Sequence, residues 1–133
     1  MDKNLLKAGE SMSALIELEF EGLPPTVNHM YRTAGKYRYK TLEARQYQEY
    51  AANKIREQWQ GKSIITESVS LYICYETSNR RRWDIDNRVK ALQDCLSIAG
   101  VIHDDTQVQE LHVKRIYGSK MATTMILNLM TSI

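Results

Sequence analysis

Between Val69 and Gly100 the spacing of apolar residues changes once, and that change constrains the fold more than any other feature of the chain. Val69, Leu71, Ile73 and Tyr75 recur at every second position, the period of a strand with one face against a core. Val89, Leu92, Leu96 and Ala99 recur at every third or fourth position, the period of a helix with one apolar stripe, and Gly100 supplies the stop. A strand over 68–76 therefore hands over to a helix beginning at about Asn87, with Asp86 as its N-cap. The helix's other face carries Asp86, Lys90, Asp94 and Ser97. The handover itself is charged: Arg80, Arg81 and Arg82 run directly into Asp84 and Asp86.

The remainder of the chain supplies partners for this unit. Residues 14–21 alternate, with Ile16, Leu18 and Phe20 opposite Glu17, Glu19 and Glu21, as in a half-buried strand. Two prolines mark the loop Leu23-Pro24-Pro25-Thr26-Val27-Asn28. Lys36 to Lys40 alternate cation and tyrosine, a short ribbon or loop with one charged edge. Thr41 is an N-cap, with Glu43 in the first turn of a helix. Ala44, Tyr47, Ala51, Ile55 and Trp59 line one face of that helix, and Gly61 ends it. Residues 108–117 and 121–131 are expected to form a hairpin around Gly118–Ser119. Strands mixed with two main helices predict a single α+β domain over 13–133, with a mixed or antiparallel sheet. Residues 1–12 are expected to be a flexible polar tail. The 133-residue length fits one domain and one real core.

Apolar runs are far too short for a membrane helix, and residues 1–13 hold no apolar stretch of signal-peptide length. A cytoplasmic protein without membrane contact is expected. Cys74 and Cys95 lack any zinc-ligand spacing and fall on core elements, so both are expected to be buried free thiols. The net charge of +2 is modest, but its distribution is not. No acid lies between Gly22 and Leu42, where Arg32, Lys36, Arg38 and Lys40 stand, and five of the six aspartates lie in 84–105.

In an extended segment, residues two apart point the same way with Cα atoms roughly 6.5 Å apart. Asp84 and Asp86 could then share a hard cation such as Mg²⁺, which takes one or two carboxylates and completes its shell with water and phosphate oxygens. Asp104–Asp105 follows a helix of roughly 20 Å and reaches the first pair only if Gly100-Val101-Ile102-His103 turns the chain back. Lys90, four residues after Asp86, is placed to stabilise charge on a phosphate, and the arginines to track a nucleic-acid backbone. Each piece also has an ordinary reading. Asp86 caps a helix, Lys90 and Asp94 form a surface i,i+4 pair, Asp104–Asp105 make a turn, and Arg80–Arg82 form a solvated loop. The joint arrangement points to metal-dependent phosphodiester chemistry.

These residues carry a resemblance. Leu23 to Arg32, the helix that follows, and above all Arg80 to Val108 resemble the RusA-type Holliday junction resolvases. The last stretch holds the family's Asp-x-Asp-Asn-x-x-Lys and its Gly-x-x-x-Asp-Asp after the helix. The resemblance implies a RusA-like fold and a dimeric endodeoxyribonuclease, dependent on Mg²⁺ or Mn²⁺, that resolves four-way DNA junctions by paired nicks in recombination and repair. It implies a bacterial or phage-encoded, nucleoid-associated protein. It places Asp84, Asp86 and Asp105 on the metal-binding and catalytic acids and Lys90 on the catalytic lysine. Asn87 and Asp104 fall on supporting positions, for helix-start geometry and for holding the acids. Trp83 departs from the pattern, since a basic residue can occur there, and residues 1–12 extend beyond it.

With a junction as substrate, Arg80, Arg81, Arg82 and Arg88 are candidate DNA contacts. So are Arg32, Lys36, Arg38 and Lys40, interleaved with Tyr31, Tyr37 and Tyr39, which could stack on unpaired bases. The alternative for that ribbon is tyrosines packed on the sheet. Asn28 and Tyr31 match the family's loop, and His103 adjoins the Asp pair as a bystander or accessory group. Tyr47, Tyr50 and Trp59 are expected in the core or at a dimer interface. Two other functions remain open: a non-catalytic branched-DNA-binding module, and a metal-dependent phosphohydrolase acting on small phosphates.

Overall fold

The computed structural model describes residues 14–130; the tail expected at 1–12 lies outside them. The strands are β1 (Ile16–Glu21), β2 (Tyr31–Ala34), β3 (Tyr37–Lys40), β4 (Val69–Thr77), β5 (Val108–Tyr117) and β6 (Ala122–Leu129). The helices are α1 (Leu42–Trp59) and α2 (Val89–Ile98). β1, β6, β4 and β5 form one sheet in that spatial order, and β2 and β3 form a separate two-stranded ribbon. β4 runs parallel to β5 and antiparallel to β6, so the main sheet is mixed. The expected α+β domain with two helices is what the chain adopts.

Local signals set the helix boundaries. The Thr41 hydroxyl accepts from the Ala44 amide at 3.1 Å and donates to the His29 carbonyl at 2.7 Å, which caps α1 and ties it to the preceding loop. α1 ends where Gln60 (φ 54°) and Gly61 (φ 68°) enter the left-handed region. Gly100 (φ 79°) does the same for α2, as a residue without Cβ does at little steric cost. Both helices lie on one face of the main sheet. Ala51 and Ile55 of α1 and Leu92 and Leu96 of α2 pack with Ile16, Phe20, Leu71, Ile73 and Leu127 from the sheet. Each large side chain buried there contributes about 1.5–3 kcal/mol.

Two expectations about the sheet are corrected. Residues 108–117 and 121–131 do not pair as a hairpin, because β4 lies between β5 and β6. The turn at Gly118 crosses over β4, a step of about 10 Å at ordinary strand spacing. β4 takes this place because both of its faces are covered. Val69, Leu71, Ile73 and Tyr75 face the helices, while Tyr72 and Cys74 are buried on the opposite face with Ile126. Strict alternation suggested one buried face only. Tyr72 also stacks on the His112 ring, with centroids 4.3 Å apart. Cys74 and Cys95 are buried and form no disulfide, as expected.

Candidate active site

β4 delivers the chain to the charged junction at Thr77, and Arg115 of β5 fixes its path from there. The Arg115 guanidinium donates to the Thr77 hydroxyl (3.0 Å) and to the carbonyls of Asn79 (3.1 Å) and Arg81 (2.9 Å). It also lies 4.5 Å over the Trp83 ring, and Arg88 lies 4.7 Å over the same ring. Trp83 in turn stands edge-on to Tyr75, centroids 5.3 Å apart. These contacts pin the backbone of the loop and leave the side chains of Arg80, Arg81 and Arg82 exposed. Arg115 was not singled out in the sequence. Its signal is a cation on the strand row of Leu111 and Val113, opposite Tyr75.

Asp84 and Asp86 follow at once, in a geometry the sequence did not predict. A 3-10 turn runs over Ile85–Arg88, and α2 begins only at Val89. Asp86 is therefore inside the turn rather than the N-cap of the helix. Asp84 holds the N-cap position of the turn, but its side chain makes no cap hydrogen bond. The extended spacing assumed for the two acids also fails, since the backbone turns at Ile85. Among the described residues neither carboxylate has a side-chain hydrogen bond or an ion pair, and both are exposed. Asn87 stands in the same turn.

The second acidic pair is engaged. The Val101 amide donates to the Leu96 carbonyl, and Ile102 pairs with Ile65 beside the sheet, so the chain does turn back after α2. Asp104 caps the short turn Asp105–Gln107 in a reciprocal capping box with Gln107. Asp105 accepts from Lys90 at 2.8 Å, and Lys90 also pairs with Asp94 at 2.9 Å. The Lys90 ammonium, helped by Asp104, holds the Asp105 carboxyl below the ordinary carboxylate range. The two carboxylates in turn raise Lys90 above the usual lysine value. Lys90 thus meets Asp105 and Asp94, not Asp86.

Gln48 extends this network and was also missed in the sequence. It is buried on the helix-facing side of α1, accepts from Lys40 at 2.6 Å, and points its amide at the Ala91 carbonyl and Asp94 (3.4 and 3.5 Å). A polar line Lys40–Gln48–Asp94–Lys90–Asp105 thereby links the ribbon to the second acidic pair. The signal was a glutamine between Ala44 and Ala51 on an apolar stripe.

Among the described residues no three His, Cys, Asp or Glu side chains stand close enough together to hold a metal. The donor chemistry nonetheless fits a hard cation. Asp84 and Asp86 are two exposed, unpartnered carboxylates, a set that Mg²⁺ accepts with water and phosphate completing its shell. Asp105 is the third candidate, with one oxygen already taken by Lys90.

On the ribbon, Tyr37 is 79% exposed and Tyr39 is 51% exposed, so these two do not pack on the sheet. Tyr31 is half-buried against Met30, Ala44 and Ala91, with the Arg38 guanidinium 4.0 Å over its ring. Arg32, Lys36 and Arg38 are exposed, whereas Lys40 turns in to Gln48. Arg88 is placed differently from the other arginines considered for DNA contact. It donates inward to the Pro24 carbonyl at 2.6 Å, and burial pushes its guanidinium below the usual value. His103 is exposed and joins the second pair's turn through its backbone amide, which donates to Gln107. Trp59 is buried, and Tyr47 and Tyr50 pack against the main core.

Comparison with known proteins places the same stretch of chain in one group. Residues 21–127 match the family model described as endodeoxyribonuclease RusA. A crossover junction endodeoxyribonuclease RusA of Aquifex aeolicus is 37% identical over 107 residues, covering 79% of this chain and 84% of that protein. A protein of the same description from Enterobacteria phage HK97 is 30% identical over 93 residues, covering 69% of this chain and 76% of its own.

Proposed function

Because this chain belongs to the RusA endodeoxyribonuclease family, we propose that it is a crossover junction endodeoxyribonuclease that resolves four-way DNA junctions by paired nicks. Its dependence on Mg²⁺, or Mn²⁺ in its place, and its action as a homodimer are part of the same proposal. The observation that carries it is the pair of unpartnered carboxylates, Asp84 and Asp86, set between the exposed Arg80–Arg82 block and Lys90. Two exposed carboxylates without a side-chain partner among the described residues are free to take a hard cation.

In this reading Asp84 and Asp86 would hold the metal, and Asp105, which the described structure does not bring into one cluster with them, is the candidate third ligand. When bound, the metal supplies Lewis-acid polarisation of the phosphate and a lowered pKa for water at the site. The chain's own cations do the rest. Arg80, Arg81 and Arg82 bind phosphates on one side of the site, and Arg32, Lys36 and Arg38 bind them on the ribbon. Lys90 stays protonated across the working range and stabilises negative charge on the phosphate being cleaved. Two symmetric copies suit a near-two-fold junction. Among the described residues no helix is long and apolar enough to cross a membrane. The relatives come from a bacterium and a phage, which supports bacterial or phage DNA as the substrate.

The test is cleavage of a synthetic four-way junction against linear duplex of the same sequence, with Mg²⁺ and with EDTA. Metal-dependent paired nicks at the crossover support the reading. Intact junctions under all conditions would leave a non-catalytic DNA-binding module, and turnover of mononucleotides instead would favour a small-phosphate hydrolase.

A further inference from the structure

An open cleft of about 490 Å³ is lined by Val27, Asn28, Tyr31, Arg32, Thr33 and Arg38. That volume falls within the range of roughly 300–1,000 Å³ typical of sites for small organic ligands. Its lining is unusual for a surface depression. The Asn28, Arg32 and Arg38 side chains are solvent-exposed and make no side-chain hydrogen bond among the described residues, so their polar groups are open to a ligand. Tyr31 supplies a ring, half-buried and held against Met30, Ala44 and Ala91, with Arg38 stacked over it at 4.0 Å. Among the described residues no acid lines the cleft.

The cleft is also fixed relative to the candidate active site. Its Asn28 wall is a 3-10 turn, Val27–His29, braced by a Thr26–His29 side-chain contact of 2.7 Å and by the bond from Thr41 to the His29 carbonyl. That turn packs against the turn Ile85–Arg88, which carries Asp86. Arg88 of the latter ties back to Pro24 at 2.6 Å. A ligand in the cleft is thus held at a set position from Asp86.

We propose that this cleft takes one unpaired nucleobase of the DNA substrate, stacked on the Tyr31–Arg38 platform and read at its edge by Asn28. The proposal rests on the nuclease reading above and adds a specificity site to it. The chemistry matches in three respects. Bases stack on aromatic rings and on guanidinium planes alike. A carboxamide presents a donor and an acceptor side by side, the complement of a base edge. Arg32 stands ready for the phosphate attached to that base. At the branch point of a four-way junction the stack can be interrupted, so taking one base out of its pair costs less there than within continuous duplex.

The test is a thermodynamic cycle that does not need cleavage. Junctions carrying a single abasic nucleotide, moved one position at a time across the branch point, are bound to the parent and to Asn28→Ala and Arg38→Ala in Ca²⁺. At one position the missing base is expected to weaken the parent by roughly ten-fold or more and to weaken both variants by much less. A second readout is the cleavage rate in Mg²⁺ with each of the four bases at that position, where Asn28→Ala is expected to flatten the parent's preference. Equal abasic penalties for parent and variants at every position would overturn the proposal, as would an unchanged preference in Asn28→Ala. If the abasic coupling is found but no junction is cut, the cleft stands and the nuclease reading falls.

Discussion

Asp84 and Asp86 are exposed and have no side-chain partner among the described residues, whereas Asp104 and Asp105, one helix later, are both engaged. Asp104 caps a turn and Asp105 is held by Lys90. The two pairs look alike in sequence, and the environment separates them. Lys90 pairs with Asp105 and Asp104 caps a turn, so both members of the second pair have a structural use without any ligand. The first pair has no such cation bonded to it among the described residues, although three exposed arginines precede it in the chain. The difference teaches which pair is waiting for a cation and which pair keeps the lysine in place.

The sharpest way to break this comparison is to remove the first pair's charge. Asp84→Asn and Asp86→Asn are each expected to abolish junction cleavage. Junction binding should be retained or tightened, because negative charge near phosphates is lost, and the melting temperature should not fall. A variant cutting at the parental rate would sink the assignment. Lys90→Ala comes next. It should slow cleavage by on the order of 10²–10³, with near-normal junction affinity in a binding assay. Its cost in stability should stay within about 1 kcal/mol, since both of its ion pairs are partly exposed; an unfolded Lys90→Ala would mark the lysine as structural.

These features were unevenly legible in the residues, and the reasons are physical. The Thr41 cap, the Gly100 stop and the strand-to-helix switch after Tyr75 were legible because each is local, set by a few neighbouring residues. The place of β4 between β5 and β6 was not, because strand order depends on which strand is covered on both faces. Tyr72 and Cys74 hid that, being tolerant of either side. At the site, the charge block from Arg80 to Lys90 was plain, and so was the i,i+4 pair of Lys90 and Asp94. What a sequence does not contain is which charge meets which. The return of Asp105 to Lys90, the inward turn of Arg88 to Pro24, and the grip of Arg115 on the 79–81 backbone all cross long stretches of chain. Gln48 and Arg115 each left one trace, a polar residue on an apolar row.

Smaller effects sharpen the account of the second pair. Gln48→Leu leaves Lys40 without its 2.6 Å acceptor and Asp94 without the amide, and should cost about 1–3 kcal/mol in chemical denaturation. Asp104→Ala removes the cap of the Asp105–Gln107 turn and should cost about 1 kcal/mol. The smallest signature is in the acid limb of stability without added metal. Asp105 has a folded-state pKa depressed mainly by Lys90. Its contribution is therefore fully present above the ordinary carboxylate value and is lost as pH falls through the lowered one. Denaturation midpoints followed downward from pH 5 should show this loss in the parent and a shallower one in Asp105→Asn.

The claim that the first acidic pair is the open cation site is tested most directly by calorimetric titration of Mn²⁺ into the parent, Asp84→Asn and Asp104→Ala. The account predicts binding in the parent, binding close to parental in Asp104→Ala, and loss of binding in Asp84→Asn. Parental affinity in Asp84→Asn, with binding lost in Asp104→Ala instead, would contradict it.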